Sequence, residues 1–465
     1  MARPVSPQTR PRLYQIRRDL TAVSSAAFLA AAHGRPRGFW ASGRRWVAHA
    51  GAVAEVAVDG GREDAGSPDR RSRFAVVQDR SARLFAKIGG GGGARLFGGF
   101  AFSPRPCGDP VWSSFPPARF QLPEAELEHD PRAGKCSLLV RGADRKEAEK
   151  SWGRWADTLS RSGAAESPGP PRRGRSGVRP ARKARAAERA AWSRMVWRTL
   201  HRIQAGEAEK VVLARTLDVT PTRPVPPLDL VLALWQEGHG SHVFLFEPAP
   251  AEALVGAAPE TIATVVNGVV RATAVAGSVR VGADSVETAK LARRLFNSDK
   301  DRAEHDLVVR DMLARLSGLG CTVERAVEPH VLTLARIQHL ETKIAAGIPE
   351  GVTLLDILAS LHPTPAVCGM PRNAALSILT GSEVFDRGWY AGPVGWMGSD
   401  GKGMFVPALR SAVSRGAGWR LFAGAGILPG SDPSLEWEET ELKFDSVLRA
   451  IARAEFSAHA ATGSG

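Results

Sequence analysis

Apolar residues fall into short, evenly broken runs over the first third of this chain. RWVAHAG from Arg45, VAEVAVD from Val53, RFAVVQD from Arg73, ARLFGGFAFS from Ala94 and CSLLVRG from Cys136 all read as β-strands. They are rich in β-branched or aromatic residues and bounded by turn formers. The breaks between them, including the five glycines Gly89 to Gly93, suit loops between antiparallel strands. LTAVSSAAFLAAAHG, ahead of all these, reads as an amphipathic first helix.

The second half is better patterned. A helix is predicted from Ala186 to about Ala205, then a strand at Lys210–Thr216. HVFLFEP and the stretch ALVGAAPETIATVVNGVVRATAV give further strands. One helix is expected over Ser285 to Ser317 and another at Leu354–Leu361. VGWM, GMFVPALRSAVS and GWRLFAGAGIL read as a late meander, and a helix from Ser434 to Glu455 closes the chain. Strands come in groups with helices between them and no regular βαβ repeat. That pattern favours an α+β fold with large mixed or antiparallel sheets.

Composition adds three constraints. The hydrophobic fraction of 43% and charged fraction of 24% are those of an ordinary soluble globular protein. The net charge of +14 is high, and much of it sits between Arg172 and Arg189, where Glu188 is the sole acid. Its setting, SPGPPRRGRSGVRPARKARAAERA, lacks the interleaved aromatics of a nucleic-acid face and reads as a solvated linker. Cys107, Cys136, Cys321 and Cys368 stand far apart, which gives neither a disulfide framework nor a zinc site and fits a reducing cytoplasm. Arg17-Arg18 before an apolar run faintly suggests an export signal. The run is short and diluted by Ser and Thr, and no stretch approaches the roughly 20 apolar residues of a membrane span. A cytoplasmic protein with no membrane or nucleic-acid partner is expected.

Candidate chemistry lies in the second half. Lys210 opens the apolar run KVVLAR, where desolvation could make it a base. Glu260 follows a proline in VGAAPETI; if buried, it could serve as a general acid. Asp301 and Glu304 stand one helical turn apart in SDKDRAEHDLVV, and Glu436 and Glu439 repeat that spacing in SDPSLEWEETELK. Brought together, two such pairs would form a hard oxygen site of the kind Mg²⁺ accepts. Taken singly, each is equally a surface helix, with Glu439 and Lys443 a routine i,i+4 ion pair. AGSVRVG at 276–282 and FAGAGILPGSDP at 422–433 expose backbone N–H groups that suit a carboxylate-bearing ligand. AGAG is not GxGxxG and no helix follows it directly, which speaks against a dinucleotide site.

In order and spacing, these islands resemble the chorismate-utilising enzymes: isochorismate synthase, salicylate synthase and the large subunits of anthranilate and aminodeoxychorismate synthases. The resemblance is dense from Lys210 to Lys443, through KVVLAR, GAAPE, AVAGSVR, KDRAEH, IQHLETK, LHPTPAVCG, DRGWYAGPVGW, ALRSA and AGAGILPGSDPSLEWEETELK. It is looser in FWAS, LFGGFAFSP and FPPARFQLPEAEL. It implies two packed sheets with outer helices, formed by residues 1–465 as one large domain. Residues 1–165 are the divergent part, 166–190 a basic loop and 191–455 the catalytic part.

The resemblance also implies roles. Lys210 matches the general base that activates water, and Glu260 the general acid for the departing hydroxyl. Glu304 and Glu439 match Mg²⁺ ligands, backed by Asp301 and Glu436. Gly277, Ser278, His339, Ala366, Tyr390, Arg410, Gly424, Gly426 and Lys443 match substrate contacts, with Arg410 and Lys443 near carboxylates.

Members that use ammonia typically carry Thr where this chain has Ala366, and the Pro-Ile-Ala-Gly element of the anthranilate group is here Ala274-Val275-Ala276-Gly277. Both features point to the isochorismate synthase branch, with Mg²⁺ as cofactor, chorismate as substrate and no obligate protein partner. Salicylate synthase is the nearest alternative, then an amidotransferase-partnered synthase. A non-catalytic basic binding protein is the alternative of another class. Ala258 stands where Ser is common, Ser278 where Thr is usual and Val281 where Arg is usual. The loss of that arginine bears on activity strength more than on reaction type.

Overall fold

Side chains alternate between two cores along the central strands. In Arg37–Ser42, Phe39 and Ala41 join one apolar cluster while Trp40 joins another. In His242–Ala249, Val243 and Leu245 go with Phe39, and Phe244 and Phe246 with Trp40. Successive residues of a strand face opposite sides, so a sheet with both faces covered reads this way. Phe244 has no exposed surface, and burial of that kind contributes about 1.5–3 kcal/mol per large apolar side chain.

The computed structural model describes residues 13–20, 23–59, 72–89, 93–105, 107–161, 182–237, 240–324 and 328–462. Among them the larger sheet has twelve strands. From one edge it runs through Gly369–Met370, Lys210–Val219, Gly418–Ile427, Ser411–Arg415, Glu252–Ala258 and His242–Ala249. It continues through Arg37–Ser42, Arg45–Ala50, Ala125–Asp130, Lys135–Gly142, Leu13–Leu20 and Ile88–Gly89. The smaller sheet has ten. It runs from Thr322–Glu324 through Ile337–Gly347, Val269–Arg280, Ala263–Val266 and Gly403–Pro407, then Pro393–Gly398, Arg95–Phe100 and Ala118–Leu122 to Ala54–Val58. His330–Thr333 pairs beside Ile337–Gly347. Pairing is parallel between Leu13–Leu20 and Ile88–Gly89 and antiparallel elsewhere in the central strands.

Trp40, Phe244 and Leu254 of the larger sheet meet Phe97, Val394 and Val406 of the smaller in a shared core. Outside the larger sheet lie helices Ser25–Ala31, Arg145–Arg161, Pro227–Glu237 and Pro433–Thr462. Outside the smaller lie Arg73–Phe85, Asp299–Gly318 and Leu354–Leu361. Two packed sheets with outer helices make the α+β architecture expected. No helix among the described residues is long and apolar enough to cross a membrane.

Four local expectations are corrected. RFAVVQD is helical: Ser72 caps the Arg73–Phe85 helix, and Phe74, Val77 and Ser81 are its buried residues, a helical spacing that overrides the β-branched pair. The helix expected over Ser285 to Ser317 is two, Ser285–Phe296 and Asp299–Gly318. Ser298 restarts the second by accepting the Asp301 N–H at 3.3 Å. At the N-terminus Arg17-Arg18 lies in the Leu13–Leu20 strand, and the expected helix shortens to Ser25–Ala31. The basic stretch is already helical from Arg182, in a helix running to Gln204. Its expected loop before that, and the glycines at 90–92, lie outside the described residues.

Candidate active site

Alternate residues of two paired strands begin the site. Lys210 and Val212 on one, and Phe422, Gly424 and Gly426 on the other, border a cleft. The cleft encloses about 720 Å³ of atom-free space, open solvent included. Glycine at 426 leaves room for the facing side chains: a Cβ there would lie 2.6 Å from Glu304 Oε1 and 3.0 Å from Lys210 Cε, so that pair would have to shift. Lys210 is 1% exposed, and its Nζ lies 2.8 Å from Glu304 Oε1.

Glu260 comes from the turn after the Glu252–Ala258 strand and borders the same cleft. It is buried, and its Oε1 has no hydrogen-bond partner. Burial lifts its carboxyl from 4.5 to about 8, against the opposing pull of Lys210 and Lys443. An acid with that pKa keeps its proton at neutral pH.

The opposite wall is built by a bulge. Register slips between Ala276 and Ser278 where Val269–Arg280 pairs with Ile337–Gly347, and Gly277 takes φ +73°. The extra residue lets Ala276, Gly277 and Ser278 all border the cleft. His339 pairs directly with Ser278. Arg410 Nη2 donates to His339 Nε2 at 2.8 Å. Arginine is a donor only, so His339 carries its proton on Nδ1. That proton faces Ser278 Oγ at 3.0 Å and Gly277 O at 3.1 Å. Burial, then the charges of Arg410 and Lys443, hold His339 well below the usual range, so the ring is neutral. Ser278 accepts from it and keeps a hydroxyl proton to donate into the cleft.

Two helix starts deliver the acids. Ser298 caps the helix carrying Asp301 and Glu304. Asp432 Oδ1 accepts the N–H groups of Ser434 and Leu435, at 2.8 and 3.0 Å, at the head of the helix carrying Glu436 and Glu439. Helix N-termini favour negative charge within the first turn, where Asp301 and Glu436 lie. Glu304 and Glu439 border the cleft. Asp301 packs behind Gly277, whose Cβ, if present, would meet that of Asp301 at 3.1 Å. Burial and then the charge of Glu439 push Glu436 up to about 7. Asp301 is raised by burial, with Glu304 and Glu439 adding to the rise. Lys443 Nζ donates to Glu439 Oε1 at 2.6 Å and to Gly424 O at 2.7 Å.

Tyr390 stacks on Phe422 with centroids 4.9 Å apart, and Ala366 with Val367 completes the rim. Every candidate base, acid, first-rank metal ligand and substrate contact from the sequence thus borders one cleft.

The sequence reading missed the apolar wall of Val212, Leu409 and Phe422, although the alternation Phe422, Gly424, Gly426 signals it. It also missed Arg387, which no local pattern reveals as buried. Arg387 donates to Val367 O at 2.8 Å, to Val212 O at 2.7 Å and to both carboxylate oxygens of Glu383.

The family described as "Chorismate binding enzyme" matches residues 2–452. The chain belongs to that family. Membership sets aside the reading as a non-catalytic basic binding protein. The salicylate biosynthesis isochorismate synthase of Pseudomonas aeruginosa is 33% identical over 384 residues, covering 82% of this chain and 79% of that protein. The isochorismate synthase MenF of Bacillus subtilis is 33% identical over 261 residues, 56% of this chain and 55% of that protein. Among solved structures, the menaquinone-specific isochorismate synthase MenF of Escherichia coli superposes with a TM-score of 0.72 at 27% identity, covering 95% of both chains. Anthranilate synthase component I of Streptococcus pneumoniae superposes at 0.68 with 19% identity, over 88% of this chain and 93% of that one, a likeness of fold alone.

The donor set suits the Mg²⁺ expected for this family. Glu304 and Glu439 offer hard oxygens on the cleft wall, and the mutual repulsion felt by Glu436 and Asp301 is what a divalent cation relieves. No group of three or more His, Cys, Asp or Glu among the described residues forms a ready-made cage. Mg²⁺ typically takes one or two carboxylates and completes its shell with water and substrate oxygens, so this donor set fits it.

Proposed function

We propose that this chain is an Mg²⁺-dependent isochorismate synthase, converting chorismate reversibly to isochorismate for menaquinone or siderophore biosynthesis. What carries the reading is the presence, in one cleft, of buried Lys210 and a buried, neutral Glu260. Water attack at C2 with loss of the C4 hydroxyl needs one group to take a proton and another to give one.

In this reading Lys210 reacts as the free amine: its Nζ takes the proton of the attacking water, and the Glu260 carboxyl gives its proton to the departing hydroxyl. Arg410 and Lys443 hold the two carboxylates of the substrate, and the Ser278 hydroxyl, oriented by His339, donates a further hydrogen bond. Val212, Leu409 and Phe422 keep bulk water from the ring. Glu304 and Glu439 would hold Mg²⁺, which anchors a substrate carboxylate and draws electron density as the double bonds shift. Ala366 leaves the rim without the hydroxyl of the ammonia-using members, which supports water as the nucleophile. The whole chain serves as one catalytic unit.

The deciding experiment is an end-point assay with chorismate, with and without Mg²⁺, products resolved by chromatography. Isochorismate approaching an equilibrium mixture with chorismate, only with metal, is expected. Salicylate plus pyruvate would move the chain to the neighbouring branch. Anthranilate or aminodeoxychorismate formed only with added ammonia would overturn the choice of nucleophile.

A further inference from the structure

Lysine side chains stand against three of the four acids of the site. Lys210 meets Glu304 at 2.8 Å, Lys443 meets Glu439 at 2.6 Å and Lys300 meets Glu436 at 3.2 Å. The first two border the cleft and have work there. Lys300 is unexplained. It lies in the first turn of its helix, where a cation opposes the helix dipole. Its side chain is 44% exposed, so it does not fill a core. Burial acts to lower its pKa, yet Glu436 first, then Glu304 and Asp301, outweigh that and raise it. Three of the four carboxylates therefore act on this one ammonium.

We infer that Lys300 is a resident counter-cation that restrains divalent-metal binding to the empty site and strengthens binding of the dianionic substrate. The inference rests on reading Glu304 and Glu439 as the metal ligands. Above the pH range in which Glu436 takes up its proton, removing Lys300 makes the site one unit more negative. A divalent cation then binds more tightly and a dianion less tightly, and salt shrinks both effects because Lys300 is partly exposed. A lysine whose only task is to hold Glu436 in place gives the opposite sign for the metal: its loss loosens the carboxylates and weakens binding. A merely solvated lysine changes neither.

The test uses Mn²⁺ as the probe, titrated into the full-length, substrate-free protein and followed by the electron paramagnetic resonance of the free ion. Wild type, Lys300→Met, Lys300→Arg and Glu439→Gln are compared, with chorismate KM measured in parallel. Lys300→Met is expected to lower the Mn²⁺ Kd about three- to tenfold at low salt and to raise KM by a similar factor. Lys300→Arg, which keeps the charge, is expected to stay within about twofold of wild type on both counts. Weaker Mn²⁺ binding in Lys300→Met, or no change in either quantity, overturns the inference. Glu439→Gln separates the two levels of the argument. If it leaves Mn²⁺ binding intact, the metal site itself is misread and the inference falls with it. If it abolishes binding while Lys300→Met has no effect, only the role of Lys300 fails.

Discussion

Replacing Glu260 with glutamine keeps the side chain's shape and removes its proton. The carboxyl is 2% exposed and one oxygen has no hydrogen-bond partner. Burial lifts its pKa from 4.5 to about 8, with Lys210 and Lys443 pulling the other way. At roughly 1.4 kcal/mol per pH unit, that rise is worth about 5 kcal/mol in favour of the neutral form. The sign for stability follows from proton counting. Between 4.5 and about 8 the folded protein holds a proton that the unfolded chain has released. This group's contribution is therefore fully present below the lower value and is lost as pH rises toward the upper one, by up to about 5 kcal/mol. Glutamine has no such dependence. Urea denaturation of both proteins from about pH 5 to about pH 8 should show the variant gaining on wild type by several kcal/mol. Turnover should meanwhile fall by about 10²–10⁴, which is roughly 3–5 kcal/mol of barrier. Wild-type kcat/KM should decline above about pH 8, as the acid of the free enzyme ionises. Stability curves that stay parallel would refute the buried, neutral carboxyl. Near-normal turnover in Glu260→Gln would refute its role as acid.

Three further outcomes are expected. Lys210→Met should lower turnover by about 10²–10⁴ in a stopped chorismate assay while far-ultraviolet circular dichroism stays native; turnover within about tenfold of wild type would remove Lys210 as the base. Gly426→Ala should displace the Lys210–Glu304 pair, since its Cβ would fall 2.6 Å from Glu304 Oε1, and so lower kcat more than it lowers Tm; an unchanged kcat would show that the pair has room to yield. Arg387→Met should cost about 3–5 kcal/mol in denaturant unfolding, because it leaves buried Glu383 uncompensated; a loss below about 1 kcal/mol would mean the pair is solvated.

The fold was legible wherever strand alternation is strong. Phe39 and Ala41 against Trp40, or Val243 and Leu245 against Phe244, mark a strand with two apolar faces, and that is what two-sided packing demands. The misreadings came where short-range signals compete. The VV pair in RFAVVQD favours a strand, but Ser72 supplies a cap and Phe74 and Val77 find a core on one helical face. Asn297 and Ser298 break a helix that charge pattern alone would carry through. Burial of Glu260 was out of reach, because a glutamate after a proline in a turn is ordinarily solvated. It is buried in a cleft it shares with Lys210, Gly424 and Lys443, residues that lie far away in sequence.

The pair Glu439 and Lys443 shows where local reasoning stops. An i,i+4 ion pair on an exposed helix and an i,i+4 ion pair in a binding cleft have the same sequence, and here the pair is formed, at 2.6 Å. What distinguishes the two cases is a second bond, from Lys443 Nζ to Gly424 O at 2.7 Å, made to a strand that no spacing within the helix can anticipate. Gly424 belongs to the glycine island that was conspicuous in the sequence for want of side chains. The two signals, each bland alone, account for one another once the helix is laid against the strand. A lysine needs an acceptor when it is partly buried, and the backbone carbonyl of a glycine, with no side chain in the way, is open enough to be one.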